Sequence, residues 1–221
     1  MAKLIDRDKT GRTVMLTGRV SFGETLQEAK GSKAQPDNPT HGANLIVLRD
    51  RPDFAETQAV IIKALENTCV EAKRPKDWWK GLFEDDPKQL CLRKGERFKD
   101  RDGKVYLGYE GNLIVVGKGP KAGKDRPGKL MDRHKRPIEV KDINEVIYNG
   151  TLADMQIAFY YTDKHGPARI TCSIEGIRSH QEGERLGGGG TYVDDDDFDT
   201  LEADDSFDSG PATSSGGLLD L

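Results

Sequence analysis

Apolar residues in this chain fall in short runs of β type rather than in one sustained helical period. Arg12 to Phe22 (RTVMLTGRVSF) is rich in β-formers and predicts a first strand; Ala43 to Arg49 (ANLIVLR) predicts a second. Between them, Gly23 to Gly42 collects Gly, Lys, Pro, Asp and Asn and reads as a long loop. Phe54, Gln58, Ile61, Ile62 and Leu65 then form a helical face broken only by Gln58. Asp50 or a neighbour can cap that helix and Pro52 suits its first turn, so a helix over 53–66 is expected to pack on the sheet. Ala72 to Asp102 is irregular, basic and aromatic. Val105 to Gly117 (VYLGYEGNLIVVG) returns to strand, with glycines that predict a bulge or a close backbone approach. Glu145 to Tyr161 and Ala168 to Ile177 give two more strands, joined by a hairpin turn at His165-Gly166-Pro167. No regular pattern resumes after Gly187 to Gly190.

About five strands, one inserted helix and long basic loops predict a mainly β domain, a Greek-key barrel of the OB type. Closure would remove the edges that such apolar strands otherwise expose. A β-sandwich is the rival architecture. The expected domain spans 1–190, frayed over 1–11, and a disordered acidic tail occupies 191–221.

Composition limits the functional classes. Hydrophobic residues make up 35% and charged residues 33%, thin apolar material for 221 residues, so part of the chain should lie outside any core. No apolar run long enough to span a membrane exists. The N-terminus (MAKLID) has no apolar signal core, which argues for a cytoplasmic protein. Cys69, Cys91 and Cys172 are widely spaced and read as reduced, buried thiols, while His41, His134, His165 and His180 stand singly. No metal or other cofactor is therefore expected. No carboxylate cluster falls at strand ends beside a His or Lys, so the chain does not read as an enzyme.

The net charge of −4 conceals a partition. From Thr191 to Leu221 there are nine Asp, one Glu and no Lys or Arg, which leaves the remaining chain at +6. Val70 to Lys141 alone carries 20 basic and 12 acidic residues. Within it, AKRPKDWWK places Trp78 and Trp79 among Lys73, Arg74, Lys76 and Lys80. The run LRKGERFKDRDGK interleaves Arg93, Lys94, Arg97, Lys99 and Arg101 with Phe98, and Tyr106 and Tyr109 follow. Cations that track phosphates and aromatic faces that accept bases are the two requirements for sequence-independent binding of single strands. A second basic stretch, GKGPKAGKDRPGKLMDRHKRP, offers Lys118, Lys121, Lys124, Arg126 and Lys129 among glycines and prolines. It lacks the spacing and the Ser/Thr of a nucleotide-binding P-loop and reads as a cationic arm along a nucleic-acid backbone.

The tail (YVDDDDFDTLEADDSFD) interleaves Asp194, Asp195, Asp196, Asp197, Asp199, Asp204, Asp205 and Asp208 with Phe198 and Phe207. Such a segment cannot bury enough apolar surface to offset its ordering entropy. Tethered to a cationic groove, it is expected to occupy that groove as a DNA mimic and, when displaced, to present its aromatics to partners.

From about Lys88 to Gly190 the chain resembles a family of single-stranded-DNA-binding proteins of tailed bacteriophages. The likeness rests on four pieces in order: Leu92-Arg93-Lys94-Gly95-Glu96, Gly117-Lys118-Gly119-Pro120, Val146-Ile147-Tyr148-Asn149-Gly150, and Ile170 to Ile177 followed by QEGERLGGG. The resemblance implies an OB fold, a role in phage DNA replication or recombination, and an acidic C-terminus that contacts replisome proteins such as a polymerase or a helicase-primase. Two features depart from the family: residues 23–42 and 72–88 are longer, and the tail ends in Leu-Leu-Asp-Leu rather than in an acidic-aromatic terminus. Single-stranded DNA is thus the expected partner, with no membrane and with a homodimer compatible with the sequence. A virion or assembly factor and, further off, a metal-dependent nuclease are the alternatives.

Overall fold

The computed structural model describes residues 2–32, 35–121, 129–164 and 166–186. The first compact unit spans Met1–Gly188; the second, Gly189–Leu221, lies outside the described residues, and with it the expected disorder of 191–221.

Five long strands build a closed barrel: β2 (Thr13–Ser21), β4 (Gln35–Val47), β6 (Leu113–Lys121), β8 (Leu152–Thr162) and β9 (Arg169–Gln181). The short strands β1 (Lys3–Leu4), β3 (Lys30–Ser32), β5 (Leu92–Lys94) and β7 (Lys129–Met131) extend it. Around the barrel the order is β2-β8-β9-β6-β4, and β4 pairs back onto β2 through Arg19↔Ile46, Val20↔Leu45 and Ser21↔Asn44. Numbered along the chain, the five run 1-4-5-3-2-1, the Greek-key order of the OB barrel. That return pairing excludes a sandwich. The parallel β6–β9 seam is only two residues long, Gly117↔Cys172 and Lys118↔Ser173, and β5 takes up the rest of the β6 edge.

Side chains facing the barrel interior alternate as a closed sheet requires. β2 contributes Val14, Leu16 and Val20; β4 contributes Ala43, Leu45 and Val47; β8 contributes Ala153, Met155, Ile157 and Phe159. The three thiols are free and buried. Helix α1 (Phe54–Glu71) seals this core with Ile61, Ala64, Leu65, Thr68 and Cys69, spaced for one face of a helix. Gln58 lies outside that face, and the helix runs five residues past the expected end. Thr68 is tolerated inside because its hydroxyl donates to the Ala64 carbonyl at 2.8 Å. The Asp53 carboxylate accepts from Arg51 and makes no cap bond to the first turn.

Four expectations are corrected. Residues 23–42 are not one loop: a 3-10 turn (Gly23–Leu26) leads into the β3–β4 hairpin, and β4 begins eight residues early. This arm pairs through its backbone without burying an apolar row, so it leaves no period-2 signal. Ala72 to Asp102 is not irregular throughout, because α2 (Trp78–Glu84) packs on α1. Residues 105–112 form turns with Gly108 and Gly111 at φ 78° and 74°, and β6 starts only at Leu113. Residues 143–146 are a short helix, α3 (Ile143–Val146), ahead of β8. The described residues thus hold three α-helices rather than one. No described helix is long and apolar enough to cross a membrane.

Candidate nucleic-acid interface

The tryptophan pair is split by helix geometry. On α2, Trp79 turns inward, 8% exposed in the core, with Phe83 at 6.4 Å. Its indole N–H has no acceptor among the described residues. Trp78 is half-buried against Tyr161, and the Arg74 guanidinium stands 5.5 Å from both ring centroids while donating to the Tyr161 hydroxyl at 3.0 Å. Trp79 is therefore a packing residue and not an open stacking face. Neighbouring cations are also engaged. Lys76 pairs with Glu66 at 3.1 Å and Lys94 with Glu84 at 2.7 Å. Arg97 donates to the Glu84 carbonyl. Arg93 is half-buried, donates to the Leu90 and Lys88 carbonyls, and covers the Phe98 ring. Lys73, at φ 55°, and Lys80 remain exposed without an ion pair among the described residues.

A second aromatic group forms on the outer surface of β2, β4 and β6, where alternation turns Arg19 and Ser21, Asn44 and Ile46, and Ile114, Val116 and Lys118 away from the barrel interior. The 95–112 segment folds over these strands and buries Ile46, Tyr109, Ile114 and Leu186 in a small second core, with Phe98 and Val105 packed against it. Tyr109, expected as a stacking residue, is 1% exposed. Its hydroxyl accepts from Asn44 at 2.9 Å and donates to Ser21 at 3.0 Å. Burial, opposed by these two bonds, pushes its pKa up. Tyr109 instead supports two exposed rings. Tyr106 lies 5.8 Å from it, and Phe22 meets Tyr106 edge-on at 5.4 Å and 76°. Phe22 and Tyr106 are 37% and 36% exposed. Phe98 packs at 5.1 Å from Tyr109 and is half-buried. The structure thus gathers Phe98, Tyr106 and Tyr109 and adds Phe22, which the sequence reading missed.

Phe22 sits in the left-handed region, at φ 52° and ψ 36°, an uncommon conformation for a bulky side chain. What holds it there comes from the segments that carry the family resemblance. Asn149 accepts from the Gly23 N–H at 2.9 Å. Gly150, at φ 112°, donates to the Val20 carbonyl, and a Cβ there would stand 2.0 Å from the Glu184 carbonyl oxygen. Tyr148 exchanges hydrogen bonds with Gly183, and the Leu186 N–H reaches the Asn149 carbonyl. Residues 183–186 are thereby stitched across the outer face. Gly95 is equally constrained: a Cβ would lie 1.7 Å from the Tyr109 carbonyl oxygen, while Glu96 accepts from the Gly111 N–H.

Cations border this platform. Lys99, Arg101 and Lys118 are exposed. Arg19, on the β2 row beside Ile46, has no paired carboxylate among the described residues, and its Nε is buried without an acceptor. Lys129 is exposed on β7. Lys121 ends β6, its side chain undescribed, and Lys124, Arg126 and the acidic tail residues 194–208 lie outside the described residues. Among the described residues no group of three His, Cys, Asp or Glu is placed to hold a metal ion.

In this closed OB barrel two exposed rings, Phe22 after β2 and Tyr106 in the segment folded over β2, β4 and β6, are bordered by cations, which places it in the oligomer-binding class of the fold. The chain belongs to the family described as Enterobacter phage Enc34, ssDNA-binding protein, whose model matches residues 12–208. Among solved structures it is similar to the single-stranded DNA-binding protein from bacteriophage Enc34 in complex with ssDNA: TM-score 0.60, 20% identity, 81% of this chain and 91% of that chain. It is also similar to the same phage protein without DNA in its description: TM-score 0.59, 18% identity, 89% of this chain and 98% of that chain. No curated protein matches the chain. The family is one of ssDNA-binding proteins, which are non-enzymatic, in keeping with the expectation of a non-catalytic chain.

Proposed function

We propose that this protein binds single-stranded DNA without sequence preference on the outer face of β2, β4 and β6. Phe22 and Tyr106 stack bases, with Phe98 at the edge, and Arg19, Lys99, Arg101, Lys118 and the 121–129 segment engage phosphates. The observation that carries this reading is the Phe22–Tyr106 pair. Two large rings stand more than a third exposed, one of them in a backbone conformation that costs about 1–3 kcal/mol. Folding alone gives no return for that arrangement, whereas a stacked base contributes about 1–3 kcal/mol. Lys73, Lys80 and the Arg74–Trp78 stack supply further contacts beside the β8–β9 turn.

Family membership and a neighbour solved with ssDNA support the choice of ligand. On this reading the protein serves phage DNA replication or recombination. Residues 191–221, ten acidic and none basic, compete with phosphates for the same cations, and Phe198 and Phe207 engage replisome proteins.

Anisotropy titration of labelled oligo(dT) tests the proposal. The wild type should bind at micromolar concentration or better in low salt. Phe22→Ala and Tyr106→Ala should each weaken binding about 5- to 150-fold, the equivalent of one stacked base. No binding by the wild type, or wild-type affinity in both variants, would overturn it.

A further inference from the structure

The outer row of β2 continues beyond Arg19 to Thr17 and Met15, away from the aromatic platform. There the surface between β2, β8 and β9 opens into two adjoining depressions of about 420 and 490 Å³, which share Met15, Met131, Asp154 and Arg178. Lys3, Lys135 and His180 border the first; Arg7, Lys129 and Glu175 border the second. Lys3, Arg7, Lys129 and Lys135 are exposed and have no carboxylate partner among the described residues.

Asp154 organises the groove. Its side chain is 8% exposed, and it accepts from the Thr17 hydroxyl at 2.6 Å and from Arg178 through Nε at 3.1 Å and through Nη2. The carboxylate is thereby neutralised from within. It fixes an arginine whose side chain stays 36% exposed and whose remaining N–H groups, without an acceptor among the described residues, can meet an oxyanion. Met15 and Met131 are unbranched, polarizable side chains that adapt to flat apolar groups. Pinned arginine, unpaired cations and a thioether floor together suit a sugar–phosphate chain with bases lying across it. An acidic peptide would use the cations but not the floor.

We propose that this groove is a second segment of the DNA path, taking nucleotides that run past the aromatic platform by way of Arg19, and that it sets how much strand one molecule covers. The proposal rests on the single-strand reading above and adds a length dependence to it.

The test is a triple variant, Lys3→Gln, Arg7→Gln and Lys135→Gln, in the full-length protein. These are exposed side chains without ion pairs among the described residues, so the fold should be kept, and thermal melting checks this. Gln at 135 leaves backbone demands like those of Lys. Two oligo(dT) probes are titrated, one of about 6 nucleotides, near the lower end of the span of a single OB barrel, and one of about 20, beyond its upper end. For the long probe, affinity should fall roughly tenfold at about 0.1 M salt, and the log–log salt slope should flatten by about 2, three phosphate contacts at about 0.7 each. The short probe should bind as to the wild type. Unchanged affinity and slope with the long probe would overturn the proposal, and so would equal losses on both probes, which would place these cations on the primary platform. If both DNA probes bind normally while polyglutamate, bound by the wild type, is lost, the groove takes an acidic protein segment and the proposal falls. Failure of the wild type to bind either DNA probe would instead remove the single-strand reading itself.

Discussion

Tyr106 and Tyr109 show how three positions separate an exposed ring from a packing residue. They flank Leu107-Gly108, and the turn at Gly108 aims one ring at solvent and the other onto Asn44 and Ser21. Nothing in their own chemistry distinguishes them. Trp78 and Trp79 differ in the same way, since neighbours on a helix point about 100° apart and only Trp79 meets the core. Buried charge is handled as strictly. Burial raises the Asp154 pKa, but its bonds to Thr17 and Arg178 outweigh that, and the net shift is downward. A carboxyl held below its unfolded value of about 3.9 contributes stability that is complete above that pH and is lost as pH falls through the folded value. The unfolding free energy should therefore decline below about pH 4, and Asp154→Asn should flatten the decline. Urea midpoints across that range measure it; identical profiles for the two proteins would contradict the assignment.

Among the strands, β9 and the end of β8 were legible within a few residues because both alternate apolar and polar positions over a long antiparallel pairing, Thr162↔Arg169 to Leu152↔Gln181, whereas β8 starts seven residues later than expected, after α3. β4 was half legible. Leu45 to Val47 is apolar on successive positions because Leu45 and Val47 fill the barrel while Ile46 fills the second core. Its first eight residues bury no apolar row and carry no such signal. Residues 105–112 read as the start of a strand because Val105, Tyr106 and Leu107 are β-formers, yet Gly108 and Gly111 turn the chain back over the outer face. Gly95 sets that fold-over. Gly95→Ala should cost about 1–3 kcal/mol of stability, since the added methyl meets the Tyr109 backbone, which cannot yield as a side-chain end would. Oligo(dT) affinity should weaken along with it as Tyr106 shifts. Chemical denaturation read beside the DNA titration decides this, and a fully stable variant would show that the segment is held by other contacts.

For the protein as a unit, the controlling feature is the division of charge between a +6 body and a tail with ten carboxylates. Deletion of 191–221 should strengthen oligo(dT) binding roughly tenfold in low salt. The gain should vanish near 1 M salt, where the screening length drops to about 3 Å. Equal affinity of full-length and deleted proteins at every salt concentration would assign the acidic segment a role apart from DNA competition.

The division of charge, the strand-rich barrel class and the motif glycines could be read along the chain, because each is a property of adjacent residues or of a short repeating period. Which aromatic rings remain available to a ligand could not. Phe22 and Tyr106 became neighbours, and Trp79 and Tyr109 were enclosed, only when strands far apart in the chain closed the barrel and the 95–112 segment folded across it. Exposure is a relation among distant parts of the chain, and no local pattern encodes it.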